Sequence, residues 1–322
     1  MKILITGGAG YLGSVLTPFL LELGHQVRVV DSLMYGGEAL LGNYQANGFE
    51  FLHGDIRNSE IRQQACRDVE AVVHLAAIVG DPACARQPEL AKAINRDATG
   101  ELFEASVKAR VRRFVFSSTC SNYGRMDNSE ALVNEESELR PVSLYAETKV
   151  DVEKMLLAHS DGFPAATILR FATLYGLSPR MRFDLTVNEF AMELFTRRHL
   201  VVFGEQFWRP YAHVIDVANV ISQVLSAPLD KVQGQVFNIG DSKENYTKAQ
   251  IVQTICSLLD FPVDIEKVDK KEDPRDYRVS FEKLRAFLAL DMKRTIRHGA
   301  AEVIAAINQG VFSNTQDARY RN

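Results

Sequence analysis

Two side chains in the segment YAETK have the spacing that acid/base chemistry needs. Tyr145 and Lys149 are four residues apart, so on a helix they share one face. An ammonium group beside a phenol stabilises the phenolate and lowers a pKa that is ordinarily about 10 toward a range useful for proton transfer. The same spacing is common among surface residues, so the interpretation depends on the rest of the chain.

A hydroxyl-rich segment, FSSTCSNYG at positions 116–124, precedes this pair. It follows the apolar run RRFVF, which is typical of a buried strand. Its hydroxyl groups either satisfy the backbone of a turn or form one wall of an active site, and the residues alone leave both interpretations open.

The turn TGGAGYLG near the start of the chain has glycines at Gly7, Gly10 and Gly13. It follows a predicted strand and opens a predicted helix, which is the context in which such spacing indicates a dinucleotide site. Glycines let the backbone approach a pyrophosphate at the helix N-terminus, where N–H groups and the helix dipole favour anions. The turn therefore predicts a nucleotide-binding βαβ unit rather than a purely structural turn.

The end of the second predicted strand indicates which dinucleotide binds. Asp31 lies there, and a carboxylate at this position accepts hydrogen bonds from ribose hydroxyls and repels a 2′-phosphate. Ser32 and Leu33 follow it and supply no arginine for such a phosphate, so NAD is favoured over NADP. The alternative for Asp31 is a loop cap. In HGDIR, Asp55 and Ile56 are placed at a strand end, where they can bracket an adenine.

Short apolar runs alternate with amphipathic stretches over the first half of the chain, which predicts a parallel sheet covered by helices on both faces. The predicted strands are Lys2–Thr6, Gln26–Val30, Glu50–Leu52, Ala71–Leu75, Arg113–Ser117 and Ala165–Arg170. The predicted helices between them are Tyr11–Leu23, Ser59–Cys66, Glu89–Ala109 and Ser143–Ala158. The predicted fold class is α/β, a Rossmann-type doubly wound parallel sheet with a smaller, partly interleaved α/β substrate domain.

The pattern loosens after residue 176, where the second domain is expected to begin. We expect residues 1–176 to form the NAD-binding domain and 177–322 the substrate domain, with a strand near 236–239 returning to the first sheet. Further helices are predicted at Phe183–Thr196, Val214–Ser226, Lys248–Leu259 and His298–Gln309, and short strands at Val201–Phe203 and Val236–Ile239. The polar stretch from Ser313 onward is expected to fray.

Composition limits the class of function. The chain has 322 residues, of which 46% are hydrophobic and 24% charged, with a net charge of −4, as in a soluble protein with a large core. No block of Lys and Arg supports a nucleic-acid or anionic-membrane partner. Four scattered cysteines predict neither a disulfide framework nor a structural metal. Without a signal sequence or an apolar run near the about 18 residues of a membrane span, a cytoplasmic protein is expected.

As a set, the motifs resemble those of the extended short-chain dehydrogenases/reductases, in their nucleotide-sugar epimerase/dehydratase branch. The similarity covers most of the chain and rests on TGGAGYLG, Asp31, GDIR, HLAA (74–77), FSST, YAETK, LRFATLYG (169–176) and WRPYAHVIDVA (208–218). One departure is visible, because Ala98 stands between Asn95 and Thr99 where the family motif has glycine.

The resemblance implies a role for each motif residue. Tyr145 is the acid/base, Lys149 holds the cofactor ribose and tunes Tyr145, and Thr119 hydrogen-bonds the reacting sugar oxygen. The residues implied to contact NAD are Gly7, Gly10, Tyr11, Leu12, Gly13, Asp31, Asp55, Ile56, Leu75, Ala76, Ala77, Asn95, Ser117, Tyr145 and Lys149. The residues implied to contact a nucleotide-diphosphate sugar are Thr119, Asn188, Arg209, Arg275 and Arg278, since the arginine guanidinium suits phosphate.

Several further residues are interpreted through the same resemblance. Arg180 and Arg182 are candidates for contacts with the sugar or its phosphate, whereas His213 and Asp216 are interpreted as structural. The helices Glu89–Ala109 and Ser143–Ala158 match a pair that forms a four-helix interface in the family, so a homodimer is expected.

The residues after Thr119 bear on the reaction. Cys120 and Ser121 stand where sugar-nucleotide 4,6-dehydratases carry Asp-Glu, so dehydration is disfavoured. The catalytic Cys of related 3,5-epimerases corresponds to Ser121, and neighbouring strand residues point opposite ways, so Cys120 is interpreted as facing away.

We therefore predict an NAD-dependent nucleotide-sugar C4 epimerase or C4 oxidoreductase. The alternatives within the family are a 4,6-dehydratase and a ketosugar reductase. A hydroxysteroid-type or flavonoid-type reductase is disfavoured by the arginine cluster, and a non-catalytic dinucleotide sensor by the presence of Thr119, Tyr145 and Lys149 together.

Overall fold

The computed structural model describes residues 1–126, 131–159, 162–269, 275–289 and 291–322. The strands are β1 (Lys2–Thr6), β2 (Gln26–Asp31), β3 (Phe49–His53), β4 (Ala71–His74), β5 (Arg113–Thr119), β6 (Leu132–Val133), β7 (Ala165–Phe171), β8 (Thr173–Tyr175), β9 (His199–Phe203), β10 (Trp208–His213), β11 (Gln235–Ile239), β12 (Asn245–Thr247), β13 (Asp264–Val268) and β14 (Arg278–Val279). The α-helices are α1 (Gly13–Glu22), α2 (Ser59–Cys66), α3 (Asp81–Arg86), α4 (Pro88–Lys92), α5 (Ala98–Lys108), α6 (Leu144–Leu157), α7 (Thr186–Arg197), α8 (Val214–Ser226), α9 (Leu229–Val232), α10 (Lys248–Cys256), α11 (Glu282–Leu288) and α12 (Ile296–Asn308).

The central sheet is parallel throughout and runs in the order β11-β7-β5-β4-β1-β2-β3. The chain leaves β1 toward β2 and β3 on one side, and β4, β5 and β7 extend the sheet on the other. The change of direction between β1 and β4 creates a crevice at the carboxyl ends of the strands, which is where ligands bind in doubly wound sheets. The predicted fold class is confirmed.

Two apolar layers hold the helices against this sheet. Helices α1 and α8 pack with one face of it, and α2, α5 and α6 pack with the other. Because both faces are covered, the central strands are apolar on both sides and nearly fully buried, as in parallel sheets generally. The sequence pattern of short continuous apolar runs follows from this burial.

Strand β11 lies at the edge of the central sheet although it belongs to the second half of the chain. It pairs in parallel with β7, with Phe237 opposite Leu169. The remaining strands form smaller units: β8, β10 and β12 make one sheet, β9 pairs with β13, and β6 pairs with β14. Strands β9, β10, β12, β13 and β14 follow position 176, and in these units they combine with β6 and β8, which precede that position.

The helix predicted over Glu89–Ala109 is present, but the expectation of one uninterrupted α-helix is wrong. The chain forms α4, then a π-helical turn at Ala93–Asp97, and only then α5. The side chain of Asn95 explains the interruption, because its amide bonds both the backbone N–H and the carbonyl of Ile78 at 2.8 and 2.9 Å. One extra residue in the turn brings this amide to the strand end, and π-turns of this kind are frequent at functional sites.

The expectation that residues from Ser313 onward fray is also wrong. A short 3₁₀ turn at Ala318–Tyr320 packs back on the molecule, with the Tyr320 ring 5.5 Å from those of both Phe183 and Phe312. The carbonyl of Tyr320 also accepts a hydrogen bond from the Phe183 N–H at 2.9 Å. Aromatic packing therefore fixes a segment whose polar composition suggested disorder.

Among the described residues, no helix is both long and apolar enough to cross a bilayer.

A buried ion pair joins α6, the helix of Tyr145 and Lys149, to the sheet. Glu153 and Arg170 are both nearly inaccessible, and their closest oxygen–nitrogen distance is 2.6 Å. Ser118 donates a hydrogen bond to the same carboxylate, and Asn122 donates another at 2.9 Å. Arg170 also donates to the Tyr123 hydroxyl at 2.9 Å. The hydroxyl-rich segment after β5 is thus held in place by hydrogen bonds to Glu153 on α6 and Arg170 on β7.

Replacing Glu153 with Gln should lower the free energy of unfolding by about 3–5 kcal/mol, because it leaves the Arg170 guanidinium buried without its counter-charge. Urea denaturation followed by circular dichroism measures the change. Glu104→Gln, at an exposed position of α5, is the control and should stay within about 0.5 kcal/mol of the parent protein. Equal stability of the two variants would contradict a structural role for the pair.

Candidate active site

The glycine turn after β1 fits a dinucleotide. Gly7 has a φ of +75°, and a Cβ there would lie 2.7 Å from the Ala76 backbone nitrogen. A Cβ on Gly13 would overlap the carbonyl oxygen of Gly7. Within the described residues no side chain caps the N-terminus of α1, so its N–H groups and dipole remain directed at the crevice. Close backbone approach and an uncapped helix end are what a pyrophosphate requires. Gly10, Tyr11 and Leu12 complete the turn.

Asp31 ends β2 beside this turn. Its two carboxylate oxygens accept hydrogen bonds from the N–H groups of Ala9 and Leu33, each at 2.9 Å. Burial raises the pKa of this carboxyl, and the two hydrogen bonds act against that shift. Each oxygen keeps further acceptor capacity, so the geometry suits the ribose hydroxyls predicted from the sequence.

Asp55 and Ile56 follow β3 at the expected edge of the sheet. Asp55 forms an ion pair with Arg57 at 2.6 Å and borders an open depression of about 640 Å³. Ile56 is buried, and its carbonyl accepts a hydrogen bond from Arg62 at 2.7 Å. An adenine contact at these two positions stays a prediction.

The HLAA motif continues the same crevice after β4, at Leu75, Ala76 and Ala77. Behind it, His74 is completely buried between two hydroxyl groups, those of Thr6 at 2.6 Å and Thr99 at 2.8 Å. The Thr99 hydroxyl donates to the carbonyl of Asn95 at 2.9 Å, so it accepts from His74 Nε2, and Nδ1 accepts from Thr6. Burial lowers the pKa of His74 to about 3, which keeps the imidazole neutral.

The predicted catalytic pair, Tyr145 and Lys149, lies on α6, whose first turn is capped by Ser143. Lys149 is buried, and its Nζ donates to the carbonyl of Ser117 at 2.8 Å. The same nitrogen lies 5.9 Å from the centroid of the Tyr145 ring. The structure therefore brings YAETK and the end of β5 together, as the sequence predicted, and burial lowers the pKa of Lys149 to about 8.

The charges around Tyr145 differ from the simple expectation. Burial raises the pKa of its phenol, the Cys84 thiol and the Asp81 carboxyl raise it further, and Arg182 acts in the lowering direction. The described residues thus do not by themselves produce the lowered phenol pKa that a Tyr/Lys pair suggests. Asp81 and Cys84 were not predicted from the sequence, because their proximity to Tyr145 depends on how the segment after β4, including α3, packs against α6.

The polar side chains at the end of β5 and just after it point in different directions. Thr119 Oγ1 accepts the Ser121 N–H at 3.1 Å and so caps the following 3₁₀ turn. Cys120 is buried and its thiol donates to the Arg170 carbonyl at 3.2 Å. Because burial raises the pKa of this thiol, Cys120 is not a reactive thiolate. The interpretation that it faces away from the crevice agrees with these contacts.

The predicted substrate residues occupy several elements of the second half of the chain. Arg209 on β10 lies over the Tyr277 ring at 5.4 Å, and Arg278 on β14 lies over the Trp208 ring at 4.6 Å. Tyr277 in turn donates to Ser121 at 3.4 Å. Through Tyr277, Arg209 thus adjoins the hydroxyl segment. The first two residues of the DPRDYRVS motif, positions 273 and 274, lie outside the described residues.

Arg275 makes a contact that the sequence did not suggest. Its guanidinium pairs with Asp81 at 2.7 Å, and the other oxygen of Asp81 accepts from the Ser143 hydroxyl at 2.7 Å. A loop of the second half of the chain is therefore linked to the cap of the catalytic helix.

Asn188 is completely buried on α7. Its amide accepts the Gly176 N–H at 2.9 Å and donates to the Tyr11 hydroxyl at 3.2 Å and the Arg182 carbonyl at 3.0 Å. These bonds tie the glycine turn to the LYG segment, and a direct contact of Asn188 with phosphate stays a prediction.

His213 and Asp216 serve the frame of the site. His213 bonds Glu302 at 2.8 Å, and Glu302 also accepts the Leu177 N–H at 2.7 Å. Asp216 accepts two backbone N–H groups and the guanidinium of Arg294, the last at 2.6 Å. Both residues are buried and fully engaged in such contacts, in agreement with their interpretation as structural.

No cluster of metal-ligating side chains occurs among the residues that the structure describes.

The class that this fold and site define is an NAD-dependent enzyme built on a dinucleotide-binding parallel sheet. The chain belongs to the NAD dependent epimerase/dehydratase family, whose model matches residues 3–240. Membership confirms the predicted family, the enzyme class and the use of NAD.

Individual relatives are similar along nearly their whole length. A curated UDP-glucose 4-epimerase from Halalkalibacterium halodurans is 28% identical over 314 residues, which cover 91% of each chain. The solved UDP-glucose 4-epimerase of Thermotoga maritima, bound to UDP-glucose, has a TM-score of 0.83 at 25% identity and covers 97% of this chain and 100% of its own. The dTDP-glucose 4,6-dehydratase of Streptomyces venezuelae, with NAD bound, has a TM-score of 0.84 at 26% identity, covering 96% and 97%. Similar folds thus carry out different reactions.

Replacing His74 with Gln tests the neutral imidazole beneath the site. The folded pKa of about 3 lies below the usual 6.5, so His74 adds stability above pH about 6.5 that is lost as the pH falls toward 3. Between pH about 7.5 and 5, the stability advantage of the parent protein over His74→Gln should shrink by about 2 kcal/mol. Urea denaturation at both pH values measures it, and a constant difference would contradict a buried neutral His74.

Proposed function

We propose that this protein is an NAD-dependent nucleotide-sugar C4 epimerase or C4 oxidoreductase in which Tyr145 is the acid/base. The observation that supports the proposal is the hydrogen bond from Lys149 to the carbonyl of Ser117, which holds the helix of Tyr145 against the strand that ends at Thr119. A proton acceptor, a hydroxyl for the sugar oxygen and a dinucleotide crevice then meet in one place.

Each side chain has a distinct task in this proposal. Tyr145 takes the proton from the sugar hydroxyl, and Thr119 hydrogen-bonds the same oxygen. Lys149, a cation below pH about 8, holds the cofactor ribose and orients the phenol. When bound, NAD supplies the hydride acceptor for the carbon that carries this hydroxyl.

The arginines support a substrate with a diphosphate. Arg209 and Arg278 are stacked on aromatic rings, which fixes guanidinium planes that suit phosphate oxygens. Arg275 is held by Asp81, so a diphosphate would exchange with a carboxylate for the same guanidinium. Relatives that act on UDP-glucose support the substrate class, and the sugar and base of this chain's own substrate are left to experiment.

The segment after Thr119 favours redox chemistry over dehydration. Elimination of water needs an acid and a base beyond Tyr145, and the two residues after Thr119 are Cys120 and Ser121. Cys120 bonds a carbonyl away from the crevice. Asp81 is a carboxylate close to Tyr145 that could serve as such an acid or base. Its two oxygens, however, already accept from the Ser143 hydroxyl and pair with the Arg275 guanidinium. A 4,6-dehydratase and a ketosugar reductase are the remaining candidates within the family.

A panel of nucleotide sugars separates these reactions. The purified protein is incubated with UDP-, GDP-, dTDP- and CDP-sugars, while nicotinamide absorbance and product stereochemistry are followed. Interconversion of C4 epimers without net cofactor reduction is expected for an epimerase, and net reduction of the cofactor for a dehydrogenase. A 4-keto-6-deoxy product would overturn the proposal in favour of dehydration.

Replacing Tyr145 with Phe should reduce turnover at least a hundredfold, because the acid/base hydroxyl is lost while the ring and its packing are kept. NAD binding, measured by titration calorimetry, should stay within about threefold of the parent protein. Tyr246→Phe, on β12, is a matched control that should leave turnover unchanged. An unaffected rate in Tyr145→Phe would exclude the assigned role, and a parent protein with no turnover on any sugar would favour the sensor hypothesis.

We also propose a homodimer through α5 and α6 and a cytoplasmic location. The outward faces of these helices carry the exposed charged residues Glu104, Asp151 and Lys154, and Arg96 is exposed in the π-turn before α5, which suits a polar interface weakened by salt. Four free thiols, three of them buried, suit a reducing compartment.

Sedimentation velocity tests the dimer. A species of twice the chain mass is expected at ~0.1 M salt, with dissociation toward the monomer at ~1 M, where charges are screened. Lys154→Glu should shift the equilibrium toward the monomer, whereas Glu266→Lys, exposed on β13, should not. A monomer at all salt concentrations would disprove the assembly.

A further inference from the structure

Arg180 is a buried arginine at the boundary between the cofactor crevice and the second half of the chain. Only 6% of it is exposed, and it follows β8 in a segment that sequence reasoning assigned to the sugar or its phosphate. Its backbone N–H instead donates to the hydroxyl of Ser14, in the first turn of α1, at 3.3 Å. The arginine is therefore attached to the helix whose N-terminus carries the glycine turn.

The guanidinium of Arg180 is fixed from two sides. One nitrogen, Nη2, donates to the carbonyl of Arg321 at 3.0 Å, and the plane lies over the ring of Tyr35 at 4.6 Å from Cζ to the ring centroid. Tyr35 belongs to the loop that follows β2 and Asp31. The side chain thus spans from the 318–322 segment to the ribose end of the crevice.

One donor of this guanidinium has no acceptor among the described residues. Arg180 Nε is buried and lacks a hydrogen-bond partner there, although a buried cationic donor left unsatisfied is costly. Asp31 is near enough for its charge to act on Arg180, but its oxygens already accept the N–H groups of Ala9 and Leu33. An anion brought into the crevice is the acceptor that the geometry calls for.

The position of Arg180 in the crevice indicates which anion this is. The first turn of α1, to which Arg180 is bonded through Ser14, is where the backbone and the helix dipole favour a dinucleotide diphosphate. The adenosine ribose is expected beside Asp31, on the Tyr35 side of the guanidinium. A cation between these two points lies along the path from ribose to diphosphate.

We propose that Arg180 binds the diphosphate of NAD and closes the cofactor crevice from the side of the second domain. It is a cofactor residue rather than a substrate residue, and it supplies a side-chain charge to a site otherwise built from backbone N–H groups. The inference concerns cofactor binding alone, so it stands or falls independently of which sugar the protein converts.

The segment that ends in Asn322 sets the position of Arg180. The Tyr320 ring packs on Phe183 and Phe312, and this packing presents the Arg321 carbonyl to the guanidinium. Loss of the Tyr320 ring should therefore weaken cofactor retention without removing any charge from the site.

The experiment compares Arg180→Met, Arg180→Lys and Tyr320→Ala with the parent protein. After removal of bound nucleotide, the dissociation constant for NAD is measured by titration calorimetry in the absence of any sugar. Arg180→Met should weaken binding at least tenfold, Arg180→Lys by a smaller factor, and Tyr320→Ala should mainly speed the release of NAD in a stopped-flow displacement assay.

Arg113→Met is the matched control. Arg113 begins β5 at the amino ends of the strands, away from the crevice at their carboxyl ends, and donates to the Ala227 carbonyl at 2.7 Å. It should lower thermal stability while leaving the NAD dissociation constant unchanged. Parent-like affinity in Arg180→Met would overturn the proposal, as would a parent protein that binds no NAD. If Arg180→Met does not fold, unchanged affinity and release in both Arg180→Lys and Tyr320→Ala would overturn it, and weakened binding in either would support it.

Discussion

The contact on which the active site depends most is the buried pair between Glu153 and Arg170. Glu153 is one turn beyond Lys149 on α6, so the pair fixes the helix in both rotation and distance from β7. Ser118 and Asn122 bond the same carboxylate, which carries this constraint to the segment holding Thr119. A buried ion pair adds little net stability compared with an apolar contact, but it tolerates few alternative geometries. We regard it as the device that aligns two elements distant in sequence.

At the glycine turn, backbone groups and side chains have separate tasks. The glycine turn leaves its backbone accessible for close approach by a ligand because glycine lacks a Cβ, whereas the buried side chains of Tyr11 and Asn188 join that turn to Gly176. The crevice is therefore lined by backbone on one side and supported by satisfied polar side chains behind it. Such support holds a binding site within the narrow geometry that hydride and proton transfer need.

The fold and the local motifs could be predicted from the sequence because their signals are short-range. Lys2–Thr6, Ser59–Cys66 and Val214–Ser226 have the predicted boundaries, since apolar periodicity and caps lie within each element. The π-turn that contains Asn95 was missed because its cause is a bond to Ile78, seventeen positions away. Helical periodicity contains no information about such a contact.

The site was predictable to a similar extent. Tyr145, Lys149 and Thr119 were predicted as catalytic through spacing and resemblance, and the structure holds Lys149 against the end of β5. The pairing of Asp81 with Arg275 and the approach of Arg180 to Asp31 join segments more than a hundred residues apart. The sequence marked Asp31, Arg180 and Arg275 as candidate binding residues but not these pairings, because only the crossing of the two halves of the chain brings the partners together.

The return of β11 to the edge of the central sheet has a consequence for biosynthesis. Strand β7 can pair with β5 as soon as both have left the ribosome, but its other side stays unpaired until Gln235–Ile239 has been made. During that interval an apolar strand edge is open to pairing with other chains. The first half of the molecule is therefore not a self-sufficient folding unit, and a nascent chain is safe from misassembly only once most of the second half has been translated.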